Sequence, residues 1–552
     1  MKKSYIITVA VALLLLAEGL DRASAQTLTT LWQFNGTDGS YPNGGLVQGS
    51  DGNFYGTTEY GGTNDYDPPN YEYGEGTVLK ITTQGTLTTL WQFGSSPTDG
   101  KYPTAGLVQG SDGYFYGTTY EGGTNGLPYG EGTVFRISSA GTLTTLWQFG
   151  SSPTDGKYPT AGLVQGSDGY FYGTTWQGGT NNEGTVFKIT TQGTLTTLHQ
   201  FGSGPIDGVL PEAGLVEGSD GYFYGTTYYG VSSTGVVFRI SSAGTLTTLY
   251  QFGSSPTDGR APWAGLMQGS DGYFYGTTYR GGTNFIVYNG YADYLGTVFK
   301  ITSQGTLTTL WQFGSSPTDG EEPAAGLVQG SDGYFYGTTY FGGTNYDGVV
   351  FRISSAGALT TLWQFGGSPT DGTAPFAGLV QGSDGYFYGT TTYGGTNNLP
   401  YGAGTVFRIS SAGTLTTLWQ FGSSPTDGKY PIAGLVQGSD GYFYGTTWQG
   451  GTNNEGVVFQ DGVVFQLSVP LSPPANQIAG IEFFSVFGDT YTALLIPSVA
   501  GETYQLQYSD SMNPTNWINS GDPITSIGGP LSTFDLVEPM MPQRFYRFTI
   551  TP

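Results

Sequence analysis

The sequence has no cysteine and a single histidine, His199, among its 552 residues. Without cysteine the chain has no disulfide, no thiol nucleophile and no thiolate metal site. A single histidine excludes a histidine-rich metal centre and gives little basis for a Ser-His-Asp triad.

Basic residues are also scarce. The sequence has 17 Lys and Arg against 41 Asp and Glu, so this acidic protein has a net charge of −24. Nucleic acids and anionic membrane surfaces attract clustered Lys and Arg, so the charge argues against both as partners. Beyond the N-terminus no apolar run is long enough to cross a bilayer, which predicts no transmembrane segment in the mature chain.

The N-terminus has the three parts of a secretory signal. Lys2 and Lys3 supply the positive charge, residues 6–17 are apolar, and residues 23–25 read Ala-Ser-Ala. This order is typical of a cleavable signal peptide over residues 1–25. It predicts a secreted, extracellular or cell-surface protein.

Glycine and aromatic residues are abundant, and both recur in a tandem repeat. The string G-S-D-G-[YN]-F-Y-G-T-T occurs eight times, with its Asp at Asp51, Asp112, Asp168, Asp220, Asp271, Asp332, Asp384 and Asp440. Each unit has four short β-type runs, which in the second unit are residues 105–109, 114–119, 133–138 and 142–149. Four strands in each of eight units predict an all-β, eight-bladed β-propeller.

The two ends of the repeat array are complementary. Residues 27–34 match a fourth strand with no partners before it, and the last unit lacks a fourth strand. We therefore expect the N-terminal strand to close the propeller, which removes an exposed sheet edge. Residues 457–460 and 463–466 are duplicate candidates for the third strand of the last unit, and we favour residues 463–467.

The composition changes after the last repeat. The propeller is predicted over residues 26–468, a Pro-rich linker over 469–476 and a small β-sandwich over 477–552. Its strands are expected at residues 482–487, 491–496, 503–508, 534–537 and 545–550. Residues 504–508, Trp517 and residues 544–547 resemble small immunoglobulin-like or fibronectin-like modules of secreted bacterial proteins.

The full repeat carries a family resemblance. Its pattern runs G-L-V-Q-G-S-D-G-Y-F-Y-G-T-T, then G-G-T-N, then G-T-V-F-R-I-S-S-A-G-T-L-T-T-L-W-Q-F. This resembles the Gloeo/Verruco tandem repeat of exported bacterial proteins, over about residues 27–467. The resemblance implies an exported, propeller-like repeat protein and assigns it no biochemical activity.

Two acidic series are predicted to be structural. The Asp of G-S-D-G lies between two strands, where Asp and Gly favour a tight turn. A second series lies in the loops between blades, at Asp38, Asp99, Asp155, Asp207, Asp258, Asp319, Asp371 and Asp427. Such loops could hold Ca²⁺, but no D-x-D-x-D-G motif occurs, so no cofactor or metal is predicted.

Seven basic residues and the histidine occupy positions that are equivalent from one repeat to the next. One third-strand position carries a series that we expect to bond to an acid or a carbonyl of the adjacent blade: Lys80, Arg136, Lys188, Arg239, Lys300, Arg352 and Arg408. His199 stands where other units have Trp91, Trp147 or Trp311. We therefore interpret His199 as a packing residue rather than a catalyst.

Variation between the repeats indicates a binding face. Most insertions fall between the second and third strands, and we expect this loop and the loop between blades to leave the same rim. The first and fifth units have the longest insertions and, four blades apart, should face each other. The predicted ligand-binding residues are Tyr66, Tyr71, Tyr73, Tyr288, Tyr291 and Tyr294, with Asp65, Asp67, Glu72 and Asp293.

Tyrosine rings beside carboxylates suit a neutral extended ligand such as a glycan, because the rings stack on sugar faces. The sequence therefore favours a non-enzymatic binding protein whose partner is an extracellular glycan or a surface protein. A polysaccharide-acting enzyme with two catalytic carboxylates is the first alternative. A purely structural envelope or matrix protein is the second. No catalytic residue is predicted, because the acids repeat eight times and catalysis needs a unique arrangement.

Overall fold

The computed structural model describes two parts of the chain. In the repeat region it describes residues 27–64, 66–67, 72–126, 128–204, 206–230, 234–288, 291–396, 401–424, 426–451 and 461–469. In the C-terminal region it describes residues 480–486, 489–496, 503–509, 518–519, 524–525, 531–537 and 545–551. The predicted signal peptide and nearly all of the Pro-rich linker lie outside the described residues. One compact unit comprises Gln26–Gly382 with Tyr386–Val469, and another contains Pro470–Pro552.

The repeat region is an eight-bladed β-propeller, and the described residues contain no helix. Each blade is a four-stranded antiparallel sheet. The first strands are Val47–Gln48, Val108–Gln109, Val164–Gln165, Val216–Glu217, Met267–Gln268, Val328–Gln329, Val380–Gln381 and Val436–Gln437. The second strands are Phe54–Thr58, Phe115–Thr119, Phe171–Thr175, Phe223–Thr227, Phe274–Thr278, Phe335–Thr339, Phe387–Thr391 and Phe443–Thr447.

The outer half of each blade consists of the third and fourth strands. The third strands are Thr77–Ile81, Thr133–Ile137, Thr185–Ile189, Val236–Ile240, Thr297–Ile301, Val349–Ile353, Thr405–Ile409 and Val463–Ser468. The fourth strands are Leu87–Gln92, Leu143–Gln148, Leu195–Gln200, Leu246–Gln251, Leu307–Gln312, Leu359–Gln364, Leu415–Gln420 and Thr27–Gln33.

The first strands are shorter than the sequence predicts. In the second blade we expected residues 105–109, and only Val108–Gln109 pairs with the second strand. The carbonyl of Ala105 instead accepts a hydrogen bond from the Thr57 hydroxyl of the first blade, at 3.0 Å. This segment therefore bonds to the neighbouring blade rather than within its own sheet.

The second strands are buried on both faces because adjacent blades cover both sides of the sheet. Each contributes a fully buried Tyr that stacks on a Phe of the next blade, with ring centroids 3.7–3.9 Å apart. The eight pairs are Tyr55–Phe115, Tyr116–Phe171, Tyr172–Phe223, Tyr224–Phe274, Tyr275–Phe335, Tyr336–Phe387, Tyr388–Phe443 and Tyr444–Phe54. The last pair joins the eighth blade to the first.

The eighth blade combines segments from both ends of the repeat region. Thr27–Gln33 pairs antiparallel with Val463–Ser468, with Thr29 opposite Gln466. The third strand is thus the copy that we favoured, extended by one residue. Its duplicate, residues 457–460, lies outside the described residues.

The C-terminal unit contains seven described strands in two sheets. Gly480–Val486, Asp489–Ile496 and Leu531–Val537 form one antiparallel sheet. In the other sheet, Thr503–Ser509 pairs with Phe545–Thr551, Ile518–Asn519 and Ile524–Thr525. The five predicted strands are present with small shifts, and the two short strands were not predicted.

Candidate ligand-binding face

The variable loops and the loops between blades share one face of the propeller, here called the loop face. In the second blade Gly100–Lys101, which precedes the first strand, pairs with Glu121–Gly122, which follows the second strand. The same two-stranded sheet forms in the third to eighth blades. This confirms the expectation that both loop types leave the same rim.

The Asp residues of G-S-D-G are engaged in their own blades. Asp112 accepts a hydrogen bond from the backbone N–H of Tyr114 at 3.2 Å and from the hydroxyl of Tyr116 at 2.7 Å. Since Tyr116 carries the ring that stacks on the next blade, this Asp fixes both the turn and the stack. The turn interpretation is confirmed, and the sequence pattern missed the tyrosine bond.

The Asp residues of the loops between blades each accept a hydrogen bond from an aromatic residue of the fourth strand. The Trp147 indole N–H lies 3.1 Å from Asp155, and the Ser151 hydroxyl donates to the same carboxylate at 2.8 Å. The equivalent pairs are Trp32–Asp38, Trp91–Asp99, His199–Asp207, Tyr250–Asp258, Trp311–Asp319, Trp363–Asp371 and Trp419–Asp427. This series is therefore structural.

His199 occupies the tryptophan position as expected. Its ring N–H lies 3.1 Å from Asp207, and its ring packs edge-on against Phe201 at 5.0 Å. Burial opposes ionisation of Asp207, but the hydrogen bond and charge of His199 outweigh it and lower the pKa of the carboxyl group. His199 therefore replaces the indole as donor.

Four of the seven third-strand cations bond to the neighbouring blade. Arg136 donates to the carbonyl of Thr191 at 2.8 Å and lies over the Tyr114 ring at 4.9 Å. Lys188, Lys300 and Arg352 make equivalent bonds to carbonyls of the next blade. Lys80 is an exception, because it pairs with Asp51 of its own blade at 3.0 Å. The first blade has Asn53 where the others have the tyrosine under the cation.

An open cavity of about 790 Å³ lies between the sixth and seventh blades on the loop face. Five aromatic residues line it: Tyr340, Phe341, Tyr346, Tyr393 and Tyr401. Phe341 and Tyr346 stack with ring centroids 5.4 Å apart and an interplanar angle of 23°. Tyr346 and Tyr401 are 47% and 78% exposed, respectively. The cavity thus presents open ring surfaces.

Two carboxylates line the same cavity, and they differ in their surroundings. Asp371 belongs to the repeated series and accepts a hydrogen bond from the Trp363 indole at 3.3 Å. Asp347 lies outside that series, at the position of Glu75, Glu131 and Glu183 in the first three blades. Burial raises the pKa of both carboxyl groups. A Cβ at Gly366 would lie 1.9 Å from the Asp347 carboxylate, so this close approach requires glycine.

A smaller cavity of about 430 Å³ lies where the eighth blade meets the first. It is lined by Tyr41, Asn43, Glu59, Tyr60, Ile432 and Trp448. The Asn43 amide donates to Glu59, and burial raises the pKa of Glu59 despite the hydrogen bonds from Tyr60 and Asn43. Sequence reasoning missed both cavities. The signal that could have found the smaller one is the departure of Asn43 and Glu59 from the residues of the other blades.

The predicted ligand-binding residues lie mostly on two hairpins of the first and fifth blades. Tyr66–Asp67 pairs with Glu72–Tyr73, and Phe285–Tyr288 pairs with Tyr291–Tyr294. Asp65 and Tyr71 lie outside the described residues. Tyr294 is partly buried against Phe285, with ring centroids 5.6 Å apart, and the Arg260 guanidinium lies over its ring at 5.5 Å. Tyr294 is therefore already in contact with two neighbouring side chains.

Within the described part of the chain, no group of three or more His, Asp or Glu side chains is placed to hold a metal ion. No helix there is long and apolar enough to cross a membrane.

The sequence matches the Gloeobacter/Verrucomicrobia repeat over residues 20–234, 206–398 and 284–467. The chain belongs to this repeat family. No curated protein matches the sequence.

Several solved structures are similar to this repeat protein at low identity. Dipeptidyl peptidase 4 of Porphyromonas gingivalis is 9% identical, with a TM-score of 0.42, over 85% of this chain and 65% of that one. The chain thus spans about two thirds of the peptidase. The BP39L lectin of Burkholderia pseudomallei is 12% identical, with a TM-score of 0.39, over 69% of this chain and 95% of the lectin. A PL25 ulvan lyase is 9% identical, with a TM-score of 0.39, over 73% of this chain and 97% of the lyase.

Proposed function

We propose that this protein is an exported, non-enzymatic binding protein that takes a neutral glycan chain on its loop face. The observation that carries the proposal is the cavity between the sixth and seventh blades. Its stacked Phe341 and Tyr346 rings and exposed Tyr401 suit the apolar faces of sugar rings. The Asp347 carboxylate beside them suits sugar hydroxyls as an acceptor.

The net charge of −24 further favours a ligand without negative charge. The two hairpins belong to the same proposed face, where Tyr66, Tyr73, Tyr288 and Tyr291 would extend the surface for a chain longer than the cavity. No cofactor is part of this proposal.

Export and closure belong to the same proposal. We infer that residues 1–25 are removed as a signal peptide. We also infer that Thr27–Gln33 closes the ring as the fourth strand of the eighth blade, which leaves no unpaired edge on Val463–Ser468. The C-terminal strands would then form a β-sandwich that follows the closed propeller.

A polysaccharide-acting enzyme is the second candidate, since two carboxylates line the cavity. Such an enzyme needs one carboxyl group as acid and another as base or nucleophile. Asp371 already accepts bonds from Trp363 and the backbone of Ser368, as its counterparts do in other blades. Asp347 likewise stands where other blades have Glu75, Glu131 and Glu183. Neither acid is therefore unique to this cavity, which favours binding over hydrolysis.

The test is a glycan array probed with mature protein, followed by calorimetry on the best glycan. A positive glycan supports the proposal, and release of reducing ends from that glycan would identify an enzyme instead. If no glycan binds, the proposal fails and a purely structural role becomes the better interpretation.

A further inference from the structure

The cavity between the eighth and first blades is chemically unlike the other junctions. Glu59 follows the second strand of the first blade, where the later blades have Tyr120, Trp176, Tyr228, Tyr279, Tyr340, Thr392 and Trp448. Asn43 is likewise the only asparagine at its position, which elsewhere holds Thr104, Thr160, Glu212, Trp263, Ala324, Phe376 and Ile432. The first blade therefore introduces a carboxylate and an amide where the repeat otherwise places rings or other side chains.

The polar groups of this cavity present acceptor atoms. The Asn43 amide nitrogen donates to Glu59, which fixes the amide so that its Oδ1 atom faces away from the carboxylate. That Oδ1 atom is buried and has no hydrogen-bond partner among the described residues. The Asn43 Oδ1 atom is an acceptor, so the partner that it lacks must be a donor.

Aromatic rings and Ile432 form the remaining sides. The Tyr41 ring lies between Trp448 and Tyr60, with centroid distances of 5.2 and 5.5 Å. The interplanar angles are 60° and 82°, so the three rings stand as walls at steep angles rather than as one flat platform. Tyr41 is only 8% exposed and is held in place by both neighbours.

The Glu59 carboxylate lacks a countercharge among the described residues. Glu59 has no salt bridge to a basic side chain in the part of the chain that the structure describes. Burial raises its pKa, which reflects the cost of keeping a charge there without a cation. A positively charged ligand would remove this cost and would also be attracted by the net charge of the chain.

We propose that this junction cavity binds an organic ammonium group, which would contact the Tyr41, Tyr60 and Trp448 rings beside Glu59. Aromatic rings with a nearby carboxylate attract such cations through their negative faces. A primary ammonium would also donate a hydrogen bond to Asn43 Oδ1. A sugar fits less well, because its ring prefers a flat platform and it has no charge to pair with Glu59.

This inference does not rest on the glycan proposal, because the two cavities lie at different junctions. It is tested on the full mature protein by calorimetry and NMR titration with choline and with N-acetyl-lysine methylamide, at about pH 8, where carboxyl groups are ordinarily ionised. The neutral isostere 3,3-dimethylbutan-1-ol and a methyl glucoside serve as uncharged probes. The two cations distinguish a quaternary ammonium ligand from a lysine-like primary amine.

We expect at least one cation to bind, the neutral isostere to bind roughly tenfold more weakly or not at all, and Glu59→Gln to lose about tenfold in affinity. Trp448→Ala should also abolish binding. Glu121→Gln, which neutralises an acid of the second blade, is the control and should leave the affinity unchanged. Thermal unfolding confirms that each variant is folded.

Three results would overturn the inference. One is equal binding of choline and its neutral isostere, and another is failure of both cations to bind at millimolar concentrations. The third is binding of the methyl glucoside with no effect of Glu59→Gln, which would make the cavity a sugar site.

Discussion

Tyr444 and Phe54 stack with their ring centroids 3.9 Å apart, although one lies in the last blade and the other in the first. The Tyr444 hydroxyl donates to Asp440 at 2.7 Å, as its counterparts do elsewhere. In place of a third-strand cation, Gln466 donates to the Tyr444 oxygen at 2.7 Å. The eighth blade thus meets the first through the same aromatic contact as every other pair of neighbours.

Deletion of residues 27–34 is predicted to destabilise the propeller severely. It removes the partner strand of Val463–Ser468 and the Phe34 side chain, which packs with Phe54 and Leu79 in one buried cluster. Loss of a buried Phe alone costs about 3–5 kcal/mol, and the bared strand edge favours aggregation. Differential scanning calorimetry should show a large drop in Tm. Deletion of residues 1–25 is the control, and equal Tm values for both deletions would refute closure.

His199→Trp is predicted to leave the propeller at least as stable as the parent. The indole offers the same N–H donor to Asp207 and restores the residue used at Trp147 and five other positions. It also adds apolar area to a site that already holds tryptophan in other blades. Urea unfolding measures this directly. A loss of more than about 1 kcal/mol would mean that His199 has surroundings of its own.

Much of the propeller could be predicted from the sequence because eight similar units support the same assignment of strands and turns. One turn string and four apolar runs are enough to place the strands, and the missing fourth strand of the last unit identifies the partner of Thr27–Gln33. The bounds of the first strands could not be predicted. Ala105 has an apolar, strand-like neighbourhood in sequence, yet its carbonyl bonds to Thr57 of another blade.

The candidate sites were harder to predict because they depend on contacts between blades. Loop length drew attention to the hairpins of the first and fifth blades, whereas the cavities depend on single substitutions at junctions between blades. Tyr346 and Tyr401 are separated in sequence and line one cavity only because two blades meet there. Asn43 and Glu59 are polar residues in short loops, and only the packing of Trp448 beside them reveals a cavity.

The stability of the eighth blade is predicted to depend on pH through Asp461. Burial raises the pKa of Asp461 to about 7, and the charge of Asp38 adds to the effect. Since the pKa is higher in the folded than in the unfolded chain, this contribution to stability is fully present below the unfolded value and is lost as pH rises through about 7.

The measurement is the free energy of unfolding in urea between about pH 5 and pH 9. Asp461→Asn should flatten the decline relative to the parent. Glu183→Gln, at the equivalent position of the third blade, should keep the parental slope. A parallel slope for Asp461→Asn would show that Asp461 ionises normally.

The glycan proposal is tested most sharply by Tyr346→Asn combined with Tyr401→Ala. Tyr346 has a positive φ of 67°, and its counterpart in the third blade is Asn182 with φ 59°, so asparagine preserves the backbone there. Each stacked ring contributes about 1 kcal/mol, so the double variant should bind the best array glycan roughly 30-fold more weakly.

Tyr129→Ala is the matched control. Tyr129 is the residue of the second blade that corresponds to Tyr401. Its carbonyl accepts the same backbone hydrogen bond, from the N–H of Gly122 at 3.0 Å, and its side chain is 67% exposed.

The double variant Tyr71→Ala and Tyr291→Ala tests whether the hairpins of the first and fifth blades bind the glycan. Loss of affinity in the hairpin variant alone would move the glycan to the first and fifth blades, because the cavity rings would then be present and unused. Loss of affinity in both variants would mean that one glycan chain contacts both the cavity and the hairpins.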